Sequence, residues 1–144
     1  MRSPTELAER LRADGLKVTP QRQLLFRLLA DGAEHPTADS LYEQASAEMP
    51  GISLRTVYTT LTDLTDMGEV TAISLGQGPM RFDTNTEHHH HLVCEHCNSV
   101  RDVYVEGFES LTVEPLDGFE PTDASIVFGG RCASCVGAPV PQAP

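Results

Sequence analysis

Two cysteine pairs, Cys94-x-x-Cys97 and Cys132-x-x-Cys135, stand 34 residues apart and account for all four cysteines of this 144-residue chain. Each pair sets two thiolates on one tight turn, and two such turns brought together complete the closed four-sulfur shell of a structural zinc site. The chain must therefore fold so that the segments on either side of the long insert converge. The run His88-His89-His90-His91 ends only two residues before the first pair. One segment thus anchors a zinc and presents imidazoles to a second metal. On a strand, residues two apart share a face, so His89 and His91 point one way and His88 and His90 the other, toward solvent or behind the ligands.

Charge separates the chain into two regions. The formal net charge of -11 argues against general affinity for nucleic acid, which needs clustered Lys and Arg. Residues 1–30 nevertheless carry six basic side chains (Arg2, Arg10, Arg12, Lys17, Arg22, Arg27) against three acidic ones, whereas from Asp83 onward two basic residues face ten acidic ones. A basic start and an acidic, His- and Cys-rich end fit a DNA-contacting part joined to a metal-binding part. No apolar run is long enough to span a bilayer, and Met1-Arg-Ser-Pro-Thr-Glu6 lacks an apolar signal core, so the expected location is the cytoplasm, with no membrane partner. Thiols stay reduced there, which favours zinc over disulfides.

The spacing of apolar residues predicts helices over Thr5 to Asp14 (Leu7, Ala8, Leu11 inward) and from Thr19-Pro20 with a stripe of Leu24, Leu25, Leu28 and Leu29. A loop, Asp31 to Pro36, leads to a third helix, Thr37 to Glu48, with Leu41 and Tyr42 inward, and a fourth runs from Ser53 or Arg55 to Met67. Val70, Ala72, Ser74 and then Met80, Phe82 around Gly76-Gln-Gly-Pro79 read as a hairpin. Helices followed by a hairpin are the order of a winged helix-turn-helix whose recognition helix is Ser53 to Met67. Beyond it, strands are expected at Leu92-Val93, Val100 to Val105 and Ala124 to Phe128, a short helix at Glu106 to Val113, and a disordered tail from Val136 to Pro144. The expected fold class is α+β: a winged helix over 1–82 with its wing at 69–82, then a small metal-binding domain over 83–135.

Thr19-Pro-Gln-Arg22, Thr56-Val-Tyr58-x-x-Leu61, Arg81-Phe-Asp83, His88-His-His-His91-Leu-Val-Cys94-x-x-Cys97, Asp102 and Cys132-x-x-Cys135 occur in one order. In these the chain resembles the ferric-uptake-regulator (Fur) family over about residues 5 to 135. The resemblance implies a homodimeric, metal-dependent transcription repressor with an N-terminal winged helix and a C-terminal α/β dimerisation domain. It implies that Cys94, Cys97, Cys132 and Cys135 hold structural Zn(II), and that Arg22, Arg55, Thr56, Tyr58 and Thr59 meet an operator in double-stranded DNA. In the peroxide-sensing PerR branch the regulatory site uses three His and two Asp. Motif by motif these fall on His35, Asp83, His89, His91 and Asp102. Mixed nitrogen and carboxylate ligation suits Fe(II) or Mn(II). Iron sensors of the family usually carry Glu at the place of Asp102. The oxidised side chains of that branch correspond to His35 and His89.

Three departures stand beside the resemblance. An accessory metal site in some relatives takes a histidine where this chain has Ala124, so His88 and His90 lack one expected partner. Glu106 to Asp117 is short for the helix that relatives have there. Relatives often carry Arg or Asn after the recognition-helix tyrosine, and this chain has Thr59.

Each residue also has a plainer reading. Cysteines can be buried small hydrophobes, but two x-x spacings favour zinc. His35 alone would be a surface histidine, Asp83 a hairpin end and Asp102 a solvated strand residue. Arg22 and Arg55 could form helix-surface ion pairs, and Tyr58 could be core. A zinc hydrolase needs an open coordination position, which four cysteines close, and a thioredoxin-like oxidoreductase needs its Cys-x-x-Cys beside a βαβ unit. The expected class is therefore a regulator and not an enzyme; a metal buffer without DNA binding is the other non-enzymatic reading.

Overall fold

The computed structural model describes residues 1–32, 35–76, 78–137 and 139, and it divides into two compact units, Met1–Glu87 and the residues from His88 on. The first unit holds helices α1 (Pro4–Ala13), α2 (Pro20–Asp31), α3 (Ala38–Glu48) and α4 (Leu54–Asp66), followed by strands β1 (Thr71–Ile73) and β2 (Arg81–Asp83). Every helix starts on a hydroxyl cap: Ser3, Thr19, Thr37 and Ser53 each accept the backbone N–H three residues on. Such caps satisfy donors that the helix itself leaves open, each worth about 1 kcal/mol. Ser3 and Glu6 complete a reciprocal box, and Pro20 sits at the first position of α2, where its missing N–H costs nothing.

The core of this unit is Leu7 and Leu11 from α1, Leu25, Phe26 and Leu29 from α2, Leu41 and Ala45 from α3, and Val57, Leu61 and Leu64 from α4. Phe26 is fully buried although the sequence pattern omits it, and Leu28, which the pattern includes, is only partly buried. The reason is topological. Helix α2 packs against α1, α3 and α4, so its apolar stripe is wider than that of a helix with one partner. Tyr42, expected inward, is likewise only partly buried. β1 and β2 pair antiparallel with Thr71 opposite Asp83, which keeps Asp83 in the first unit, one residue past the expected end of the winged domain. Gln77 at the expected turn lies outside the described residues.

The second unit is a three-stranded sheet in the order β4-β3-β5, with β3 at His90–Cys94, β4 at Val100–Val103 and β5 at Val127–Gly130. β4 returns antiparallel to β3, whereas β5 runs parallel to it and so requires the long crossover that separates the cysteine pairs. The third strand lies about three residues later than the sequence suggests: the carbonyl of Ile126 still accepts His91 N–H at 3.1 Å, but regular pairing begins at Val127. The helix expected at Glu106 to Val113 is reduced to one 3-10 turn, Phe108–Ser110, entered through Gly107 at φ 78. Of the tail expected to be disordered, Val136 and Gly137 form part of a turn, and 138 and 140–144 lie outside the described residues. Among the described residues no helix is long and apolar enough to cross a membrane.

Candidate metal centre

The cysteine pairs meet because of strand register. Cys94 ends β3 opposite Gly130 at the end of β5, and Glu95 N–H donates to the Gly130 carbonyl at 2.8 Å, so each strand delivers its pair to the same end of the sheet. The first turn closes through Asn98 N–H on the Cys94 carbonyl at 2.8 Å, with Asn98 in the left-handed region at φ 58. The second closes through Cys135 N–H on the Cys132 carbonyl at 2.9 Å. All four sulfurs lie within 4.8 Å of one another, and Cys97 Sγ is 3.7 Å from Cys132 Sγ. A tetrahedron with Zn–S bonds of about 2.3 Å has edges of about 3.8 Å. The cluster fits a structural zinc.

Its electrostatics fit as well. The Cys94 thiol is pulled down to about 5, first by the backbone N–H of Cys132 and then by that of Cys97. Cys97 is lowered mainly by the Ser99 hydroxyl, 3.3 Å from its sulfur. Cys135 is pushed up to about 12, chiefly by the neighbouring Cys132 thiol and by burial. Four thiolates this close repel, so without a cation the last proton stays; a divalent ion removes that penalty by balancing the charge.

The nitrogen and carboxylate donors occur in two groups, one in each unit. In the first unit, Phe82 N–H donates to the Pro36 carbonyl at 2.9 Å, Thr37 bridges to Arg81, and Arg81 Nη1 donates to the His35 carbonyl at 3.1 Å. These ties lay the loop along β2 and put His35 Nε2 3.2 Å from Asp83 Oδ2, both side chains buried. His35 holds φ 58, a conformation unusual for a residue other than glycine and frequent at functional sites. In the second unit, Asp102 on β4 faces His91 on β3, and directly paired residues share a face. On that face His89 Nε2 lies 3.0 Å from His91 Nε2 and 3.3 Å from Asp102 Oδ1. The structure thus groups His35 with Asp83, and His89 with His91 and Asp102.

His88 and His90 take the other face, as alternation requires, but they are not equivalent. His90 is 2% exposed; its ring centroid lies 4.3 Å from that of Phe108, and its Nδ1 accepts Ile126 N–H at 3.2 Å. It fastens the 3-10 turn and the start of β5 to β3. Expecting this histidine at the solvent face fails because the crossover returns over it. His88 stays exposed with Nε2 3.0 Å from the Ala124 carbonyl, so the backbone occupies the place where a third histidine was missing.

The residues expected to meet DNA lie on α2 and α4. Arg55, Tyr58 and Thr59 are exposed on α4, Thr56 is partly buried with its hydroxyl 2.9 Å from that of Ser53, and the Arg22 guanidinium pairs with Asp63. Arg22, Arg55, Thr56 and Thr59 line one cavity; Tyr58, 49% exposed, stands outside it and is not core. Asp63 had no sequence signal as Arg22's partner, since the two are 41 residues apart. Ser99, beside Cys97, was likewise invisible except as a hydroxyl next to a knuckle.

Comparison with known proteins places these features. The pattern of the Ferric uptake regulator family matches residues 13–128. The peroxide-responsive repressor PerR of Staphylococcus epidermidis is 36% identical over 128 residues, which cover 87% of this chain and 85% of that one. Among solved structures, the Vibrio cholerae ferric uptake regulator superposes with a TM-score of 0.70 at 30% identity, covering 88% of this chain and 99% of that one. PerR from Streptococcus pyogenes superposes with a TM-score of 0.55 at 25% identity over 94% of each chain.

Proposed function

We propose, on the premise that this chain belongs to the ferric uptake regulator family, that it is a metal-dependent transcriptional repressor acting as a homodimer on double-stranded DNA, and that its signal is hydrogen peroxide. The observation that carries this reading is the donor chemistry: His35 beside Asp83 in one unit, and His89, His91 and Asp102 on one strand face in the other, with every sulfur already committed to the zinc cluster. Imidazole and carboxylate donors without thiolate suit Fe(II) or Mn(II). In the proposal one ion takes all five side chains. It would then couple the orientation of the DNA-binding unit to metal occupancy, and in a two-fold dimer that orientation sets the separation of the two recognition helices.

Fe(II) held by these side chains would supply the reducing chemistry that splits the O–O bond of peroxide, with one oxygen ending on the ring of His35 or His89 and the other leaving as water. An oxidised ring is a poorer ligand, the clamp opens and the repressor leaves DNA. Mn(II) reduces peroxide poorly and keeps the repressor in place. Zinc-held thiolates are less available to the oxidant than free ones.

The test is DNA binding of the Fe(II) and Mn(II) forms before and after dilute peroxide, with mass spectrometry of the peptides. A gain of one oxygen on the peptide containing His35 or His89, in the Fe(II) form alone and together with release, is the expected result. Release with unmodified peptides, or an Fe(II) form indifferent to peroxide, would make the protein a metal-uptake regulator of the same family. Wild-type, metal-dependent DNA binding by His35→Ala or Asp83→Ala would remove the clamp.

A further inference from the structure

The four sulfurs of the zinc cluster are not equally sheltered. Cys94 and Cys135 are buried and Cys132 is half-buried, whereas Cys97 is exposed. Cys94 Sγ accepts the backbone N–H of Cys132 at 3.4 Å, a donor that belongs to the main chain. Cys97 Sγ has a side-chain neighbour instead, the Ser99 hydroxyl at 3.3 Å. Asn98 makes that contact possible, because its left-handed φ of 58 reverses the chain directly after Cys97 and brings the half-buried Ser99 back beside the sulfur. The Ser99 carbonyl meanwhile accepts Cys94 N–H at 2.9 Å, so one residue touches both cysteines of the first turn.

Closing the turn needs only the Ser99 carbonyl, which any residue supplies, so the hydroxyl calls for a separate account. A thiol is a weak donor and a weak acceptor, and between a protonated Cys97 and Ser99 the bond is weak in either direction. A metal-bound Cys97 is a thiolate. The hydroxyl then donates to a charged acceptor, and such bonds are about twice as strong as neutral ones. Ser99 thus favours the state in which Cys97 holds zinc.

We infer that Ser99 is a positioning residue of the zinc cluster, whose hydroxyl donates to the Cys97 thiolate, holds it on the metal and blunts its nucleophilicity at the most exposed corner of the cluster. The inference rests on the zinc cluster alone and stands apart from the DNA-binding and peroxide readings. Its consequence is protective. Electrophiles in solution reach Cys97 before the buried sulfurs, and a thiolate that has given part of its charge to a hydrogen bond attacks them more slowly. Ser99 shields the staple of the second unit by chemistry, where Cys94 and Cys135 are shielded by burial.

The experiment uses the full chain loaded with zinc. Ser99→Ala should weaken zinc about tenfold in competition with a chelator, the lower end of the loss that follows when a group behind a metal ligand is removed. Limiting maleimide, mapped by mass spectrometry, should label Cys97 about threefold faster in Ser99→Ala, as expected when a thiolate becomes about tenfold more basic and its reactivity follows with an exponent of roughly 0.4–0.5. Labelling of Cys94, Cys132 and Cys135 should stay at wild-type rates. Ser99→Thr keeps the hydroxyl and should restore both readings. Wild-type zinc affinity or wild-type Cys97 labelling in Ser99→Ala would overturn the assignment. So would faster labelling of all four cysteines, which is the mark of a loosened turn, or a Ser99→Thr variant that behaves as Ser99→Ala does.

Discussion

The first unit buries Leu7, Leu25, Phe26, Leu41, Val57 and Leu64 among four helices, whereas the second buries Cys94, Val100 and Cys135 with three histidines and leaves Tyr104, Leu111, Val113, Phe119 and Phe128 exposed. Both have regular backbone, yet only the first has enough apolar mass to be held by packing alone. Small domains that lack such a core need a staple, and the four cysteines, drawn from both ends of the crossover, are placed to be one. The same contrast sorts the donors. His35 is held by the Arg81 guanidinium of β2, which donates to its carbonyl, while His89, His91 and Asp102 depend on the β3–β4 register.

The largest expected effect separates the two units outright. Cys132→Ser, or removal of zinc by a chelator, should unfold the second unit and abolish the dimer while the α1–α4 helices persist, because binding energy at such a site, about 10–16 kcal/mol in small zinc modules, is folding energy. Limited proteolysis should leave a fragment ending near Glu87, and sizing chromatography should report a monomer; a dimer that survives without zinc would break the contrast. Smaller and opposite in location is Phe26→Ala, expected to cost about 3–5 kcal/mol through the lost side chain and the cavity it leaves. Its melting shift should be the same with and without chelator, and a shift that depends on zinc would mean the first unit is not self-sufficient.

The smallest effect is a matter of protons. Cys135 is pushed up to about 12 and so keeps its proton near neutral pH, while Cys94, pulled down to about 5, has already lost its own. Zinc must displace the Cys135 proton, so competition titrations should show affinity rising with pH, about tenfold per unit for each proton released. Apart from the metal's own contribution, the two thiols act in opposite senses. The lowered value of Cys94 favours the fold above the ordinary thiol range and is lost as pH falls through about 5; the raised value of Cys135 favours it below that range and is lost as pH climbs toward about 12. Zinc affinity independent of pH between 6 and 8, roughly the range where free thiols hold their protons, would remove the assigned charges.

Much of this was legible from residue types. The Thr19-Pro20 helix start, the apolar spacing that follows Thr37 and Ser53, and period-two alternation in the histidine run dictate local structure through short-range hydrogen bonds and geometry. Helix starts therefore fell within a residue or so of their expected places. Expectations weakened where long-range partners decide. The Glu106 to Val113 helix shrank to a turn, the third strand slid to Val127, and Phe26 proved more buried than Leu28 because three helices surround α2.

The sequence by itself determined the chemistry at hand: four thiols at zinc spacing, an alternating histidine strand, and a charge split between a basic start and an acidic end. These are properties of residue type and separation, and they do not depend on what lies across the fold. Only the tertiary structure decided that the parallel pairing of β5 with β3 carries one cysteine pair to the other, that His90 is enclosed by Phe108 while His88 remains exposed, and that Arg22 of α2 pairs with Asp63 of α4. Strand register and helix packing juxtapose residues 35 to 41 positions apart, and no local pattern encodes which of them will meet.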